Sequence, residues 1–230
     1  MDFQRYAIYY TAPAGPLADF GAAWLGWDVA SGQPVKHPHI HGLDEDISSL
    51  TQTPRKYGFH GTIKPPFRLA AGTTVEGLAS ATRTLCNDLD ALTLEGLELS
   101  QLGRFLALTV TGDTTPLAEL ASKVVRSLDD FRAPPSDVEL AKRRKANLSD
   151  RQEAYLVQWG YPYVMEEFRF HLTLTGRLKA DHAKSLRDNL RPALVNFLPN
   201  PFQITDLTLV GEDRQGRFHE IERFDLRKPA

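Results

Sequence analysis

The chain has 230 residues, 42% of them hydrophobic, a formal charge of −2 and a pI of about 6.4. That is enough apolar material for a buried core, which excludes global disorder, and too little positive charge to hold a long nucleic acid, so a small anionic ligand is expected. A single cysteine, Cys86, excludes an intrachain disulfide and a cysteine-based zinc site; an N-terminus without signal-peptide layout and no apolar run approaching ~18 residues predict a cytoplasmic protein with no membrane partner.

Arg5 to Thr11 is rich in aromatic and β-branched residues and predicts a first strand. Pro16 to Trp27 has apolar residues at helical spacing, and residues 31–48, with their Gly, Pro and His, predict a loop. Tyr57 to Phe67 predicts a second strand, stopped by Pro65-Pro66. An amphipathic helix over Thr74 to Leu89 follows; it carries Cys86, which reads as a core residue. Two strands, Leu92 to Leu102 and Phe105 to Thr111, turn at Gly103-Arg104, and a helix over Pro116 to Phe131 opens with Pro in its first turn. Residues 132–167 differ in character, with Ala133-Pro134-Pro135, the basic run Lys142 to Lys145 and the aromatic stretch Trp159 to Tyr163, and predict a helix and loop inserted between two similar halves. Phe168 to Thr175 predicts another strand, Ala180 to Phe197 a helix, and residues 202–226 two strands around Asp213 to Gly216.

The halves echo each other. His-x-Thr occurs at 60–62 and at 171–173, and Gly-Arg-Phe at 103–105 and 216–218, nearly the same distance downstream of each histidine. The element order also repeats, which points to a duplicated unit. The expected fold is α+β, a single domain of two pseudo-repeated lobes, each an antiparallel sheet with outer helices, around a central active-site cleft.

In a strand, residues two apart share a face. His60, Thr62 and Lys64 therefore share one, and Arg169, His171, Thr173 and Thr175 share another, with apolar residues opposing them. If both polar faces line one cleft, the set suits phosphate-ester chemistry. One neutral imidazole takes a proton and the other, protonated, gives one to the leaving oxygen. Thr62 and Thr173 hydrogen-bond the non-bridging oxygens, and Lys64 or Arg169 adds a charge-assisted contact. No metal or cofactor is required by this layout.

The paired motifs His60-Gly61-Thr62 and His171-Leu172-Thr173 resemble those of the two-histidine phosphoesterase superfamily, which includes RNA ligase-like cyclic phosphodiesterases. The stretches Arg5 to Tyr10, Tyr57 to Phe67 and Gly160 to His171 look like the branch of that superfamily associated with phosphonate-metabolism genes. The resemblance covers nearly the whole chain, although its motifs lie further apart than is usual in the superfamily; the 132–167 insert accounts for the excess. The resemblance implies a cyclic phosphodiesterase acting on a small sugar phosphate, 5-phosphoribosyl 1,2-cyclic phosphate, near the carbon–phosphorus lyase pathway. Rival readings are a 2′,3′-cyclic phosphodiesterase acting on RNA ends and a non-catalytic binder of nucleotides or sugar phosphates; a pure binder needs no second proton-transfer group.

Four more residues are candidates for substrate binding: Arg143 and Arg144 of the basic run, and Tyr161 and Tyr163, which would form a lid or stack a ring. Against these stand a solvated helix face and a simple anchor for the insert. His37-Pro38-His39-Ile40-His41 invites a metal reading, with Asp44 and Asp46 nearby, but Gly42 stands where metallo-hydrolases of the His-x-His-x-Asp-His type need an acid, so a polar surface loop is expected. His182 and His219 are read as bystanders.

Overall fold

The computed structural model describes residues 2–43 and 45–228; Asp44, one of the acids beside the His37–His41 loop, lies outside the described residues. In chain order the elements are β1 (Arg5–Thr11), α1 (Pro16–Leu25), β2 (Trp27–Asp28), β3 (Gln33–Pro34), α2 (Ile47–Thr51), β4 (His60–Phe67), α3 (Val75–Asn87), β5 (Leu92–Leu94), β6 (Gly96–Leu102), β7 (Phe105–Thr111), α4 (Thr115–Ser127), α5 (Asp137–Arg144), α6 (Asp150–Trp159), β8 (His171–Thr173), α7 (Ala180–Leu194), β9 (Phe202–Ile204), β10 (Asp206–Glu212) and β11 (Phe218–Asp225). The class is α+β, built on an antiparallel sheet.

The two halves join edge to edge. The main sheet runs β11-β10-β1-β4-β8-β7-β6, and the His-x-Thr strands β4 and β8 are its central neighbours, paired at Gly61 and Leu172. The hairpins have changed places. Hairpin β6–β7, which follows His60 in the chain, pairs with β8, while β10–β11, which follows His171, pairs with β1 beside β4. Helices stay with their own motif: α3 packs on β10 and β11, and α7 on β6 and β7. A short ribbon, β5 with β9, crosses between the halves again.

One sheet face carries the main core. Ile8, Ile63, Leu108, Leu172 and Leu209 meet Trp24 of α1, Leu78 of α3, Leu117 of α4 and Leu186 of α7. The amphipathic helices form because their apolar residues recur at the spacing that one buried stripe requires. Thr74 caps α3, its hydroxyl accepting from the Gly77 amide. Cys86 is buried on α3, and burial pushes its thiol up to about 12, as suits an inert core residue. The opposite sheet face holds a smaller cluster of Ala7, Tyr9, Trp27, Val29, Val210 and Phe218, and this is the face of the two histidines.

Residues 132–167 form α5 and α6, each opened by a capping box, Ser136 with Glu139 and Ser149 with Gln152. They seat on α4: Tyr155, Trp159 and Tyr161 pack around Val125, Val164 and Met165. No helix among the described residues is long and apolar enough to cross a membrane.

Candidate active site

His60 opens β4 and His171 opens β8, and both rings are held in the same way. The Nδ1–H of His60 donates to the Gly58 carbonyl at 2.9 Å, and that of His171 to the Arg169 carbonyl at 2.8 Å. Each carbonyl stands two residues before its histidine. A ring so held has its unprotonated Nε2 directed away from the backbone, the orientation a proton-transfer group needs. Gly58 delivers its carbonyl from a left-handed backbone (φ 67°), where a Cβ would also meet Val29 at 1.9 Å.

Extending the Gly61–Leu172 register by one residue on each side sets His60 against Thr173 and Thr62 against His171. The histidines are then diagonal neighbours on one face, roughly 7–8 Å apart. The Phe170 ring can lie against β4 here because the residue between His60 and Thr62 is glycine: a Cβ on Gly61 would fall 2.3 Å from that ring. Thr62 Oγ1 donates to His60 Nε2 at 3.1 Å. Tyr9, opposite Thr62, stacks on the His60 ring at 3.9 Å, with Tyr57 at 5.9 Å; Phe105 stands 5.6 Å from His171.

Burial lowers both imidazoles. His60 falls to about 4, with the Gly58 hydrogen bond opposing and the charge of His171 assisting the shift; His171 is lowered by burial, with the Arg169 hydrogen bond opposing. His60 is thus neutral at pH 7.

The remaining sequence-based candidates divide. Thr62, Tyr161, Tyr163, Arg169 and His171 line one cavity of about 200 Å³. Arg143 lies over the Tyr161 ring at 4.5 Å, and Thr173 sits on the shared face through its register. Lys64 does not. An extra residue in β4 shifts the register between Tyr9–Thr62 and Ile8–Lys64, which breaks the alternation expected of a regular strand and turns Lys64 toward the core side with Ile8. There it is 2% exposed, and its ammonium donates to the Val125 carbonyl at the end of α4 (3.0 Å) and to Asp129 (3.4 Å). Burial lowers its pKa to about 8, with Asp129 opposing. Arg144 is corrected too: one step round α5 from Arg143, it points outward and pairs with Glu153 of α6 at 2.6 Å. Thr175 is buried, its hydroxyl donating to the Gly176 carbonyl and accepting from the Leu106 amide. The cleft face therefore has two imidazoles, two hydroxyls and one rim cation.

His37 is tied to the end of α1, its Nδ1 facing the Ala23 and Trp24 carbonyls at 3.2 and 3.1 Å. No group of three potential metal ligands occurs among the described residues. His182 meets Glu45 and His219 meets Asp213, both away from the cleft.

Sequence reasoning passed over Tyr9, Tyr57, Phe105 and Phe218. A signal for two of them was present. The repeated Gly-Arg-Phe ends in Phe105, which stands against His171, and in Phe218, which packs on Tyr9 and Tyr57 behind His60. Each copy supports the histidine of the other half.

The paired His-x-Thr strands thus stand side by side at the centre of one antiparallel sheet in an α+β fold. Residues 62–219 match the family described as protein of unknown function DUF1045, and the chain belongs to that family. A protein of Janthinobacterium sp. (strain Marseille) named ribose 1,5-bisphosphate phosphokinase PhnN is 40% identical over 218 residues, 92% of this chain and 48% of that protein. One of the same name from Laribacter hongkongensis (strain HLHK9) is 33% identical over 175 residues, 76% of this chain and 40% of that protein. The chain thus spans about half the length of these relatives or less. Among solved structures it is similar to E. coli LigT complexed with 3′-AMP (15% identity, TM-score 0.44) and to a crystal structure of a phosphoesterase (15%, TM-score 0.41), each alignment covering 98% of this chain and 99% of the other.

Proposed function

We propose that this protein hydrolyses a cyclic phosphodiester on a small sugar phosphate, 5-phosphoribosyl 1,2-cyclic phosphate, by acid–base chemistry from His60 and His171 and without a metal. The observation that carries this reading is the pair of imidazoles, each tied through Nδ1 to a backbone carbonyl and placed diagonally on one face with Thr62 and Thr173. Both relatives are named for a ribose bisphosphate, which supports a phosphorylated pentose as the substrate class.

In this reading, neutral His60 takes a proton from water as the water oxygen bonds to phosphorus. The bond from phosphorus to one ring oxygen breaks, and His171, charged in the presence of the anionic ester, gives that oxygen its proton. Thr62 and Thr173 donate to the non-bridging oxygens as charge builds. The product is a phosphomonoester, and the two imidazoles return to their starting states by exchange with solvent. The depressed pKa of His60, caused by burial, supports its role as the base.

The test is turnover by purified protein with excess EDTA, using 5-phosphoribosyl 1,2-cyclic phosphate, its dephosphorylated analogue and 2′,3′-cyclic nucleotides. Hydrolysis of the first with full activity under EDTA is the expected result. Activity lost on chelation and restored by zinc or manganese would overturn the metal-free mechanism. A strong preference for the 2′,3′-cyclic nucleotides would overturn the substrate.

A further inference from the structure

A second cavity, of about 270 Å³, opens on the histidine face of the sheet, between β1, the end of β4 and the insert. Six cations line it: Arg5, Lys56, Arg68, Arg132, Lys142 and Arg143. They come from stretches far apart in the chain, so the fold, rather than a local charge run, brings them together.

Three of the six are neutralised. Arg5 pairs with Glu212, Arg132 with Asp129 at 2.8 Å and Arg68 with Glu139 at 2.8 Å. Glu139, the only carboxylate on the cavity wall among the described residues, is further held by Ser136. Lys56, Lys142 and Arg143 have no carboxylate partner among the described residues; Lys56 lies over Tyr57 at 4.8 Å and Arg143 over Tyr161 at 4.5 Å. Like charges held around one concavity repel each other, and an anion placed between them relieves that repulsion.

The cavity adjoins the catalytic cleft through those two tyrosines. Tyr57 lines the cationic cavity and its ring stands 5.9 Å from that of His60. Tyr161, beneath Arg143, lines the cavity that holds Thr62 and His171. Arg5, on the wall of the cationic cavity, and Tyr9, stacked on His60, lie on the same face of β1 four residues apart, roughly 13 Å along the strand. The scale is that of one phosphorylated sugar, well short of a polynucleotide.

We infer that the cationic cavity is the subsite for a second, terminal phosphate on the molecule whose cyclic ester sits between the histidines, with Lys142, Arg143 and Lys56 as its contacts. The inference rests on the sugar-phosphate reading above and names the residues that would select for the second phosphate.

Two measurements on the full chain test it. In calorimetric titration with ribose 5-phosphate, the Lys142→Ala/Arg143→Ala double variant should bind at least ~10-fold more weakly than wild type, since a hydrogen bond to a charged group is worth a factor of about 10 or more. In kinetics, the double variant should lose at least ~10-fold more kcat/KM on the 5-phosphorylated cyclic sugar than on its dephosphorylated analogue. Should the double variant disturb the insert, Lys56→Ala, outside the insert in the turn before β4, provides the same readout. No binding of ribose 5-phosphate to wild type, or equal affinity in wild type, the double variant and Lys56→Ala, overturns the subsite. Absence of turnover on both cyclic sugars with the calorimetric pattern intact supports the subsite and sinks the proposed reaction.

Discussion

His60 and His171 are the residues on which the proposed chemistry stands, and each is presented by a single hydrogen bond from its Nδ1. His60→Ala and His171→Ala should each lower kcat by ~100-fold or more with little change in thermal unfolding; wild-type turnover in either would remove the acid–base assignment. His60 also makes stability depend on pH. Burial holds it near 4 in the folded protein, whereas in the unfolded chain it titrates near its ordinary value of ~6.5. Between those values the unfolded chain binds the extra proton, so stability falls as pH drops from about 6.5 to about 4. Thermal unfolding of His60→Gln at pH 7 and pH 4.5 should show a smaller fall in Tm than wild type. Equal falls would mean that His60 is more solvated than its packing against Tyr9 indicates.

Among the elements, β4 is the one whose irregularity matters most. Its extra residue sends His60 and Thr62 to one face and Lys64 to the other, where the ammonium satisfies the last turn of α4. Lys64→Ala should therefore act on stability. It leaves the Val125 carbonyl unpartnered, at a cost of about 1–3 kcal/mol, while Asp129 keeps Arg132. Denaturant unfolding should show that loss with KM for the cyclic sugar phosphate nearly unchanged; a large rise in KM with normal stability would return Lys64 to the substrate. The insert helices α5 and α6 show the same division between neighbours, since Arg143 faces Tyr161 and the cationic cavity while Arg144 turns out to Glu153.

For the whole molecule, the exchange of hairpins makes the two repeats depend on each other. β6–β7 completes the sheet around His171, and β10–β11 completes the sheet around His60. Residues 1–113 and 114–230, expressed apart, should each fail to unfold cooperatively, because each has its strand partners on the other fragment; mixed, they should regain a thermal transition. Circular dichroism checks this, and a cooperative transition in either fragment alone would show that a half can close its own sheet.

The sequence by itself determined the α+β class, the helices predicted over residues 74–89 and 116–131 and found at 75–87 and 115–127, the strand faces carrying His60 with Thr62 and His171 with Thr173, and the kinship between the halves. These are local properties: apolar periodicity selects helix or strand, and the two-residue alternation of a strand sorts its side chains. What only the tertiary structure decided is everything that depends on which strands become neighbours. The β4–β8 pairing brings the two motifs together, the bulge removes Lys64, and the crossing of the hairpins sets Phe105 against His171 and Phe218 behind His60. The cationic cavity belongs to the same class, since Arg5, Lys56 and Arg143 converge only when β1, the turn before β4 and the insert are in place. Strand pairing over such separations is set by the burial of the whole sheet face, and no window of sequence short enough to read by pattern contains that information.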